Sequence, residues 1–253
     1  MDALTALPAF TDNYIWCYKN PEGMSIVVDP GDAGPILRAM DHGLQLAAVF
    51  VTHHHPDHIG GLAELRQHSH APVYGPSDSR ISGLDVLVGN GDCIVVEGFA
   101  PFQVWHLPAH TNSHIAFYDG RVLFCGDTLF SLGCGRLFEG SAEQLQSALD
   151  RIAALPDDTI VCCTHEYTLA NALFAKAAEP HNAARDEYVR RVETLRSQGK
   201  PSLPTSIGLE KACNPFLRAD NPEVRSALTR HLGFPPESRL ASLAALRAWK
   251  DRF

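Results

Sequence analysis

The sequence lacks the features that mark a membrane protein, a nucleic-acid-binding protein or a secretory precursor. No apolar run approaches the ~20 residues of a membrane-spanning helix. The start, Met1-Asp2-Ala3-Leu4, has neither the basic nor the long apolar region of a secretory leader. Lys and Arg number 21 and Asp and Glu 29, which gives a net charge of −8. Phosphate binding needs clustered positive charge, so we expect no nucleic-acid partner and no membrane partner.

The cysteines do not follow the pattern of a disulfide framework either. There are seven, an odd number, and Cys125, Cys162 and Cys163 lie inside apolar runs. Such cysteines are typical of a reduced protein interior and a reducing compartment. We therefore expect a cytoplasmic protein, whose 253 residues and 45% hydrophobic content suffice for a sizeable core.

The most informative segment that is present is the heptad of residues 52–58, Thr-His-His-His-Pro-Asp-His. It follows residues 47–51, an apolar, β-branched run that predicts a buried strand. Side chains alternate along an extended chain, so His53 and His55 point to one side and His54 to the other. Two imidazoles therefore converge, and we expect His54 to have a packing or supporting role.

The second part of the heptad predicts a turn into a helix. Proline suits a first helical turn, and Pro56 precedes a helix that we predict from about His58 to Gln67. At such a turn Asp57 and His58 can be aimed at a second point close to the first, which is the geometry of a two-metal site. Asp29 ends an earlier strand and is expected either to support the heptad or to serve only its Asp-Pro-Gly turn.

A histidine-rich tract can also bind metal adventitiously, so further ligands are needed to decide. Three later apolar runs are each followed by a ligand-type residue: residues 102–107 by His110, residues 121–125 by Asp127, and residues 159–163 by His165. Strand ends fix such residues rigidly. Five imidazoles and two carboxylates suit zinc or another divalent first-row ion, and seven ligands exceed one tetrahedral site. Two ions that share a bridging carboxylate fit the count, with zinc, iron and manganese all open.

This pattern resembles the metallo-β-lactamase superfamily. Further segments are similar to the hydroxyacylglutathione hydrolases, or glyoxalase II, within it: residues 12–14, 123–130, 133–136, 165–168, 214–218 and 250–253. The heptad indicates the superfamily and the later segments the branch. Together they span the whole chain.

The resemblance implies a ligand set and a reaction. One ion is held by His53, His55 and His110, the other by Asp57, His58 and His165, and Asp127 bridges the two. Two such ions, about 3.5 to 4 Å apart, lower the pKa of a bridging water from ~15.7 towards ~7, and Asp57 orients the resulting hydroxide. The expected enzyme hydrolyses S-(2-hydroxyacyl)glutathione, in particular S-D-lactoylglutathione, to glutathione and D-lactate, the last step of methylglyoxal detoxification. Zinc is the expected metal, with iron or manganese as alternatives.

Glutathione carries two carboxylates, so the substrate site needs local positive charge. Arg136 follows a Gly-Cys-Gly segment, and a guanidinium can bind a carboxylate bidentately. The resemblance implies that a basic residue at this position and a tyrosine at Tyr167 bind the glutathione moiety. Arg218 and Lys250 are further candidates, for which a solvated surface charge is the alternative. Phe138 stands where some family members have a tyrosine.

The chain divides into two predicted domains. Up to residue 165 strands alternate with sparse helices, and the resemblance implies a metallo-β-lactamase-like αββα sandwich there. Beyond it, residues 169–178, 181–197, 222–232 and 238–249 read as helices, with Pro/Gly breaks at 199–208 and 233–236. We therefore predict an α+β protein with a catalytic domain, residues 1–165, and a helical substrate-binding domain, residues 166–253. A monomer is expected.

Two other functions compete with the hydrolase. A mononuclear iron persulfide dioxygenase of the same fold would leave part of the ligand set unused and would lack the long helical domain. A metal-binding or thiol-binding protein without activity would need neither Asp57 nor a substrate clamp. Oxygen uptake distinguishes the first, and turnover above a metal-only control distinguishes the second.

Overall fold

The computed structural model describes residues 3–253; Met1 and Asp2, which begin the N-terminal segment considered above, lie outside the described residues. The chain forms two compact units. The first runs to Leu107 and includes Ser113–Gly126, and the second comprises Pro108–Asn112 and Asp127–Phe253. Within residues 3–253 no helix is both long enough and apolar enough to cross a membrane.

The first unit contains a six-stranded sheet whose strands lie side by side in chain order. They are β1 (Ala3–Ala9), β2 (Asn13–Lys19), β3 (Met24–Val28), β4 (Gln45–Phe50), β5 (Val73–Gly75) and β6 (Val86–Leu87). The first three pair antiparallel, and β3 to β6 pair parallel. Parallel pairing brings the C-terminal ends of β3 and β4 to the same edge of the sheet, so Asp29 and the heptad emerge together.

A second group of strands in this unit pairs antiparallel throughout. They are β7 (Cys93–Ile94), β8 (Phe102–His106), β9 (Ile115–Tyr118) and β10 (Val122–Gly126). Aromatic rings join the two groups: Phe50 of β4 stacks on Phe117 at 4.5 Å between centroids and meets Phe102 edge-on at 5.0 Å. All three rings are fully buried. The two layers thus share an aromatic core, as in a face-to-face sandwich.

Three helices belong to the same unit: α1 (Ala33–Asp41), α2 (Pro56–Ile59) and α3 (Leu62–His68). Ile36 of α1 and Leu65 of α3 are buried in one apolar cluster with Val27 and Val49 of the central strands. These side chains are β-branched or aliphatic on both partners, so the cluster buries one stripe of each helix against the sheet. The helices therefore cover the face of the sheet opposite the aromatic core.

The second unit is mainly helical. Its short strands form two antiparallel pairs, β11 (Leu129–Phe130) with β12 (Gly133–Cys134), and β13 (Ile160–Cys163) with β14 (Thr205–Ser206). Its helices are α4 (Ala142–Ala153), α5 (Thr168–Ala178), α6 (Ala183–Ser197), α7 (Ile207–Cys213), α8 (Pro222–Leu232) and α9 (Arg239–Lys250). Ser141 begins α4 with a capping box that it forms with Gln144.

The α+β class and the helical C-terminal part are confirmed. The structure differs from the sequence-based expectation in two helices. The helix predicted from about His58 begins at Pro56 and is interrupted after Ile59, where Gly60 and Gly61 separate α2 from α3. Helix α7 begins at Ile207, inside the break predicted at 199–208, and was not predicted, because its seven residues are too few for a clear periodicity.

Candidate metal centre

The heptad leaves β4 with its first histidine completely buried. Nε2 of His53 lies 3.0 Å from Nδ1 of His55, and Nδ1 of His53 lies 3.0 Å from Oγ1 of Thr52. The Thr52 hydroxyl donates its hydrogen to Oδ2 of Asp29 at 2.8 Å. Thr52 can then only accept from His53, so Nδ1 carries the ring hydrogen and Nε2 carries the lone pair that a metal ion would need.

Asp29 supports a second histidine of the heptad. Its Oδ2 lies 3.0 Å from Nδ1 of His58, and its Oδ1 accepts the backbone N–H of Thr52 at 2.8 Å. Asp29 follows β3 with a φ of 54°, a left-handed conformation that aspartate adopts more readily than most residues. A carboxylate behind an imidazole fixes the ring and raises its basicity as a metal ligand. This is the supporting role that the sequence suggested, in preference to simple turn chemistry.

Asp57 lies in the first turn of α2, with its side chain 38% exposed. Its Oδ2 accepts from Nδ2 of Asn13 at 2.9 Å and lies 3.5 Å from Nε2 of His58. Asn13 is the buried first residue of β2, so its amide fixes the rotation of the Asp57 carboxylate. Asn13 belongs to residues 12–14, one of the segments that resemble the hydroxyacylglutathione hydrolases. Its contact with Asp57 was not predicted, since nothing local in the sequence links the two residues.

The remaining ligand-type residues lie in the second unit. Oδ2 of Asp127 is 3.3 Å from Nε2 of His110 and 3.4 Å from Nε2 of His165. Nδ1 of His110 lies 2.9 Å from the carbonyl oxygen of Arg136, which can only accept, so Nε2 of His110 has its lone pair directed towards Asp127. One carboxylate oxygen thus faces two imidazoles, which is the arrangement of a bridging ligand.

In each unit a glycine lies directly against the backbone carbonyl of an acidic residue and helps to hold that residue in place. A Cβ on Gly31 would stand 1.8 Å from the carbonyl oxygen of Asp57, and a Cβ on Gly135 would stand 1.9 Å from that of Asp127. No side chain fits in either place. The loop after β3 and the segment after β12 therefore press directly on the chain that carries the two carboxylates.

Three sets of ligand atoms come together among residues 3–253. In each set the atoms lie within 4.8 Å of one another: His53, His55 and His110; His53, His58 and Asp127; Asp57, His58 and His165. His54 is in none of them. Its Nδ1 lies 3.6 Å from Oδ2 of Asp78, a carboxyl whose pKa is held well below its usual range by hydrogen bonds from Arg80.

Basic residues surround the segment that follows β12. Arg136 has a 67% exposed side chain, with Nε 3.9 Å from Asp251. Arg247 of α9 is buried and donates to the carbonyl oxygen of Cys134 and to Asp251, both at 2.9 Å. Burial, and after it the charge of Arg247, lowers the pKa of Lys250. Three cations are thus grouped around one loop, and the sequence analysis missed Arg247.

Two aromatic side chains flank the ligand-type imidazoles of the second unit. Tyr167 stacks on His165 with 4.6 Å between centroids and 4° between planes. Phe138, 61% exposed, meets the His110 ring edge-on at 5.2 Å. Tyr167 is therefore fixed next to the ligand set, and Phe138 presents an apolar ring where a tyrosine would offer a hydroxyl.

Arg218 is engaged with the protein itself. Its Nε and Nη2 donate to the carboxylate of Glu179 at 2.9 and 2.7 Å, and its Nη1 donates to the carbonyl oxygen of Lys211 at 3.2 Å. These hydrogen bonds with Glu179 raise the pKa of Arg218. Glu179 is buried, so the pair supports the fold from within the helical region.

Two family models match the chain. The model of the metallo-beta-lactamase superfamily matches residues 14–165, and that of the hydroxyacylglutathione hydrolase C-terminus matches residues 166–253. A hydroxyacylglutathione hydrolase of Pseudomonas fluorescens (strain SBW25) is 47% identical over 256 residues, which cover 100% of both chains. One of Chromohalobacter salexigens is 50% identical over 252 residues, 98% of each chain. The chain belongs to the hydroxyacylglutathione hydrolase family.

A solved structure is similar to this chain. The crystal structure of TTHA1623 in a di-iron-bound form has a TM-score of 0.59 and 26% sequence identity to this hydroxyacylglutathione hydrolase homologue, over 85% of this chain and 99% of that one. The predicted metallo-β-lactamase-like fold is confirmed by the superfamily model, which matches residues 14–165.

The donor set of this family member fits divalent metal ions. In His53 and His110 the Nδ1 atom is hydrogen-bonded to an oxygen of the protein, so these two rings present Nε2 to their ligand sets, and Nδ1 of His58 lies 3.0 Å from Oδ2 of Asp29. Imidazole nitrogen and carboxylate oxygen are the donors that zinc and its first-row neighbours use. The residues present therefore suit a centre of divalent ions.

Proposed function

We propose that this chain hydrolyses the thioester of S-(2-hydroxyacyl)glutathione, with S-D-lactoylglutathione as substrate and glutathione and D-lactate as products. The observation that carries the proposal is the combination of three ligand sets, one of which includes Asp127, with full-length similarity to proteins of this activity. The products would place the reaction last in methylglyoxal detoxification.

The metal ligands in this proposal are those of the three sets. One ion would be held by His53, His55 and His110, the other by Asp57, His58 and His165, and both by Asp127. When bound, two such ions supply a hydroxide nucleophile near neutral pH and stabilise the oxyanion that forms at the carbonyl. We propose zinc, while iron and manganese accept the same donors.

The residues of the chain then position the reactants. Asp57, whose rotation Asn13 fixes, would accept a hydrogen bond from the attacking water and aim it at the thioester carbon. Its partial exposure lets water reach it. The thiolate of glutathione is a good leaving group, since thiols ionise near pH ~8.5, so no acid on the protein is required at that step.

Glutathione would be bound by the residues grouped after β12. Arg136 would pair with a substrate carboxylate, and Lys250 would add positive charge. Tyr167, fixed beside His165, would contact the peptide portion. Arg218, proposed from the sequence as a further contact, would act at most through Nη1, because Nε and Nη2 are directed to Glu179.

Residues 166–253 would form the substrate-binding domain, in support of which Tyr167 and Lys250 both lie there and a separate family model covers that range. We further propose a cytoplasmic location, since no disulfide joins the cysteines of residues 3–253 and Cys93 alone among them is exposed. The monomeric state remains a prediction.

The test combines activity with metal content. Purified protein is incubated with S-D-lactoylglutathione, thioester loss is measured, and metals per chain are counted on the same sample by mass spectrometry. We expect turnover with two ions per chain. Thioester hydrolysis absent from protein that carries two ions would overturn the assignment of substrate, and oxygen uptake with glutathione persulfide would favour the dioxygenase.

A further inference from the structure

The turn between β11 and β12 is held from outside by two side chains. Nδ2 of Asn214 donates to the carbonyl oxygens of Phe130 and Gly133 at 3.1 and 2.9 Å. The backbone N–H of Leu132 donates to Oε2 of Glu210 at 2.9 Å, and Asn214 donates to the same oxygen at 2.9 Å. Two residues at the end of α7 thus satisfy three backbone groups of one short turn.

Side chains of helices α5 and α6 contact the same turn. Asn171 donates to the carbonyl oxygen of Ser131, and the Ser131 hydroxyl lies 2.9 Å from that of Tyr188. The side chain of Leu132 is fully buried in an apolar cluster with Ala175 and other helical residues. The turn is therefore anchored at every residue.

This arrangement is costly in two ways. Leu132 has a φ of 59°, a conformation unfavourable for a residue with a Cβ, which persists only where its surroundings impose it. Glu210 is completely buried, and desolvation raises its pKa. Thr205 donates to its other oxygen at 2.7 Å, so the carboxyl group is fully engaged. Apolar side chains alone would stabilise a turn without the free-energy cost of burying a carboxyl group.

The turn leads directly to the ligand-type residues of the second unit. Asp127 lies two residues before β11, and Gly135, just after β12, presses on the Asp127 carbonyl. The carbonyl of Arg136 accepts from His110. Displacement of the turn would therefore move a shared carboxylate, the partner of an imidazole and a proposed substrate contact together.

We infer that Asn214 and Glu210 are positioning residues, which lock the Phe130–Gly133 turn so that Asp127, His110 and Arg136 keep their places. This rests on the proposed function for its kinetic consequences only. It gives a role to the segment 214–218, which the metal centre itself does not use.

The experiment compares clamp variants with a matched core variant. Asn214→Ala removes the amide whose two hydrogens are shared among Phe130, Gly133 and Glu210, and Glu210→Leu removes the acceptor. Glu210→Gln retains an oxygen for Leu132 and Asn214 while its amide faces the Thr205 hydroxyl, which can accept. Val224→Ala, at a buried position of α8, reduces packing away from the turn.

The first readout is hydrogen exchange of residues 127–136 in metal-free protein, which requires neither metal nor substrate. Asn214→Ala and Glu210→Leu should raise exchange there at least ~10-fold, while Glu210→Gln and Val224→Ala should not. The second readout is metal retention against a chelator, which should fall ~10-fold or more in the first two variants only. In them kcat should fall and KM should rise together, because the turn leads to both a bridging ligand and a substrate contact.

Equal effects of Val224→Ala and Asn214→Ala on exchange would overturn the inference, as would unchanged exchange in Asn214→Ala. If the clamp variants do not fold, exchange in the unaltered metal-free chain decides: the Leu132 amide should be as protected as the strand core, and fast exchange would reject the clamp. A wild-type protein without thioesterase activity would reject the proposed function and leave these exchange comparisons intact.

Discussion

The two units obtain their ligand-type residues in different ways. In the first unit all four come from residues 53–58, one unbroken segment. In the second unit His110, Asp127 and His165 come from three segments up to 55 residues apart (165 − 110 = 55). The contiguous group is oriented by nearby strand ends, whereas the dispersed group depends on the whole unit being folded.

The groups that hold these ligand-type residues in place also differ between the two units. The first group is supported mainly by side chains, with Asp29 behind His58 and Asn13 on Asp57, in addition to the close approach of Gly31 to the Asp57 carbonyl. Backbone groups support the second, with the Arg136 carbonyl on His110 and Gly135 against Asp127. Side-chain supports can be removed one at a time, but a backbone support moves with its loop. Substitutions in the first region should therefore disturb one ligand-type residue at a time, whereas substitutions in the second should disturb several together.

The largest effect is expected at Asp127. Asp127→Asn replaces the carboxylate that faces both His110 and His165 with a neutral amide, which is a weaker bridging donor. Both metal positions should lose occupancy, and kcat/KM should fall more than the ~100-fold that loss of an outer partner can cause. Metal content and kinetics check this, with Asp157→Asn, at an exposed pair with Lys211, as control. Retention of one ion at full occupancy would contradict the bridge.

A smaller effect, mainly on metal affinity at the position that includes His58, is expected at Asp29. Asp29→Asn retains an acceptor for Thr52 but loses the charge beside His58, so metal affinity should fall ~10–100-fold. One of two sequential binding events in a metal titration should therefore shift more than the other. The exposed Asp41→Asn, at the end of α1, provides the control. A uniform weakening of both events would show that Asp29 supports more than its own half.

The two close-approach glycines test the comparison directly. Gly31→Ala and Gly135→Ala each place a methyl group against a carbonyl oxygen, and overpacking of this kind costs about 1–3 kcal/mol. Gly31→Ala should shift only Asp57 and its neighbours, whereas Gly135→Ala should also weaken the bridging position. Denaturant unfolding and metal titration measure the two consequences. Gly89→Ala is the control, since no atom lies within 4 Å of its added Cβ.

The contiguous group was predictable because the physics that places it is local. Strand alternation followed by a proline determines which way each heptad side chain points, and His54 indeed lies outside all three ligand sets. The dispersed ligands were predictable as strand-end residues, but their mutual distances needed the fold. The division at residues 165 and 166 stays a prediction.

The supports were less predictable, because long-range contacts leave no periodic signal. Arg247 is one arginine among several polar residues of an amphipathic helix, which is typical of a solvated face, yet it is buried. Arg218 was predicted to contact substrate because it is basic and near the C-terminus. Its partner Glu179 is 39 residues away in sequence, and only the structure pairs them.

The last comparison, with the smallest expected effect on kcat, separates a substrate contact from a structural cation. Arg136 is exposed and next to the ligand set, so Arg136→Ala should raise KM ~10-fold, about 1.4 kcal/mol of lost charge-assisted binding, with little change in kcat. Arg218→Ala should leave KM within ~2-fold. It should instead lower the free energy of unfolding by about 2–3 kcal/mol, since Glu179 is left buried without its cation. Steady-state kinetics and urea unfolding of both variants, with Arg66→Ala, at an exposed pair with Asp85, as control, check the pair. If Arg218→Ala raises KM as much as Arg136→Ala, substrate binding extends to Arg218. If Arg136→Ala lowers kcat as much as it raises KM, the guanidinium acts on the dispersed ligands as well as on the substrate.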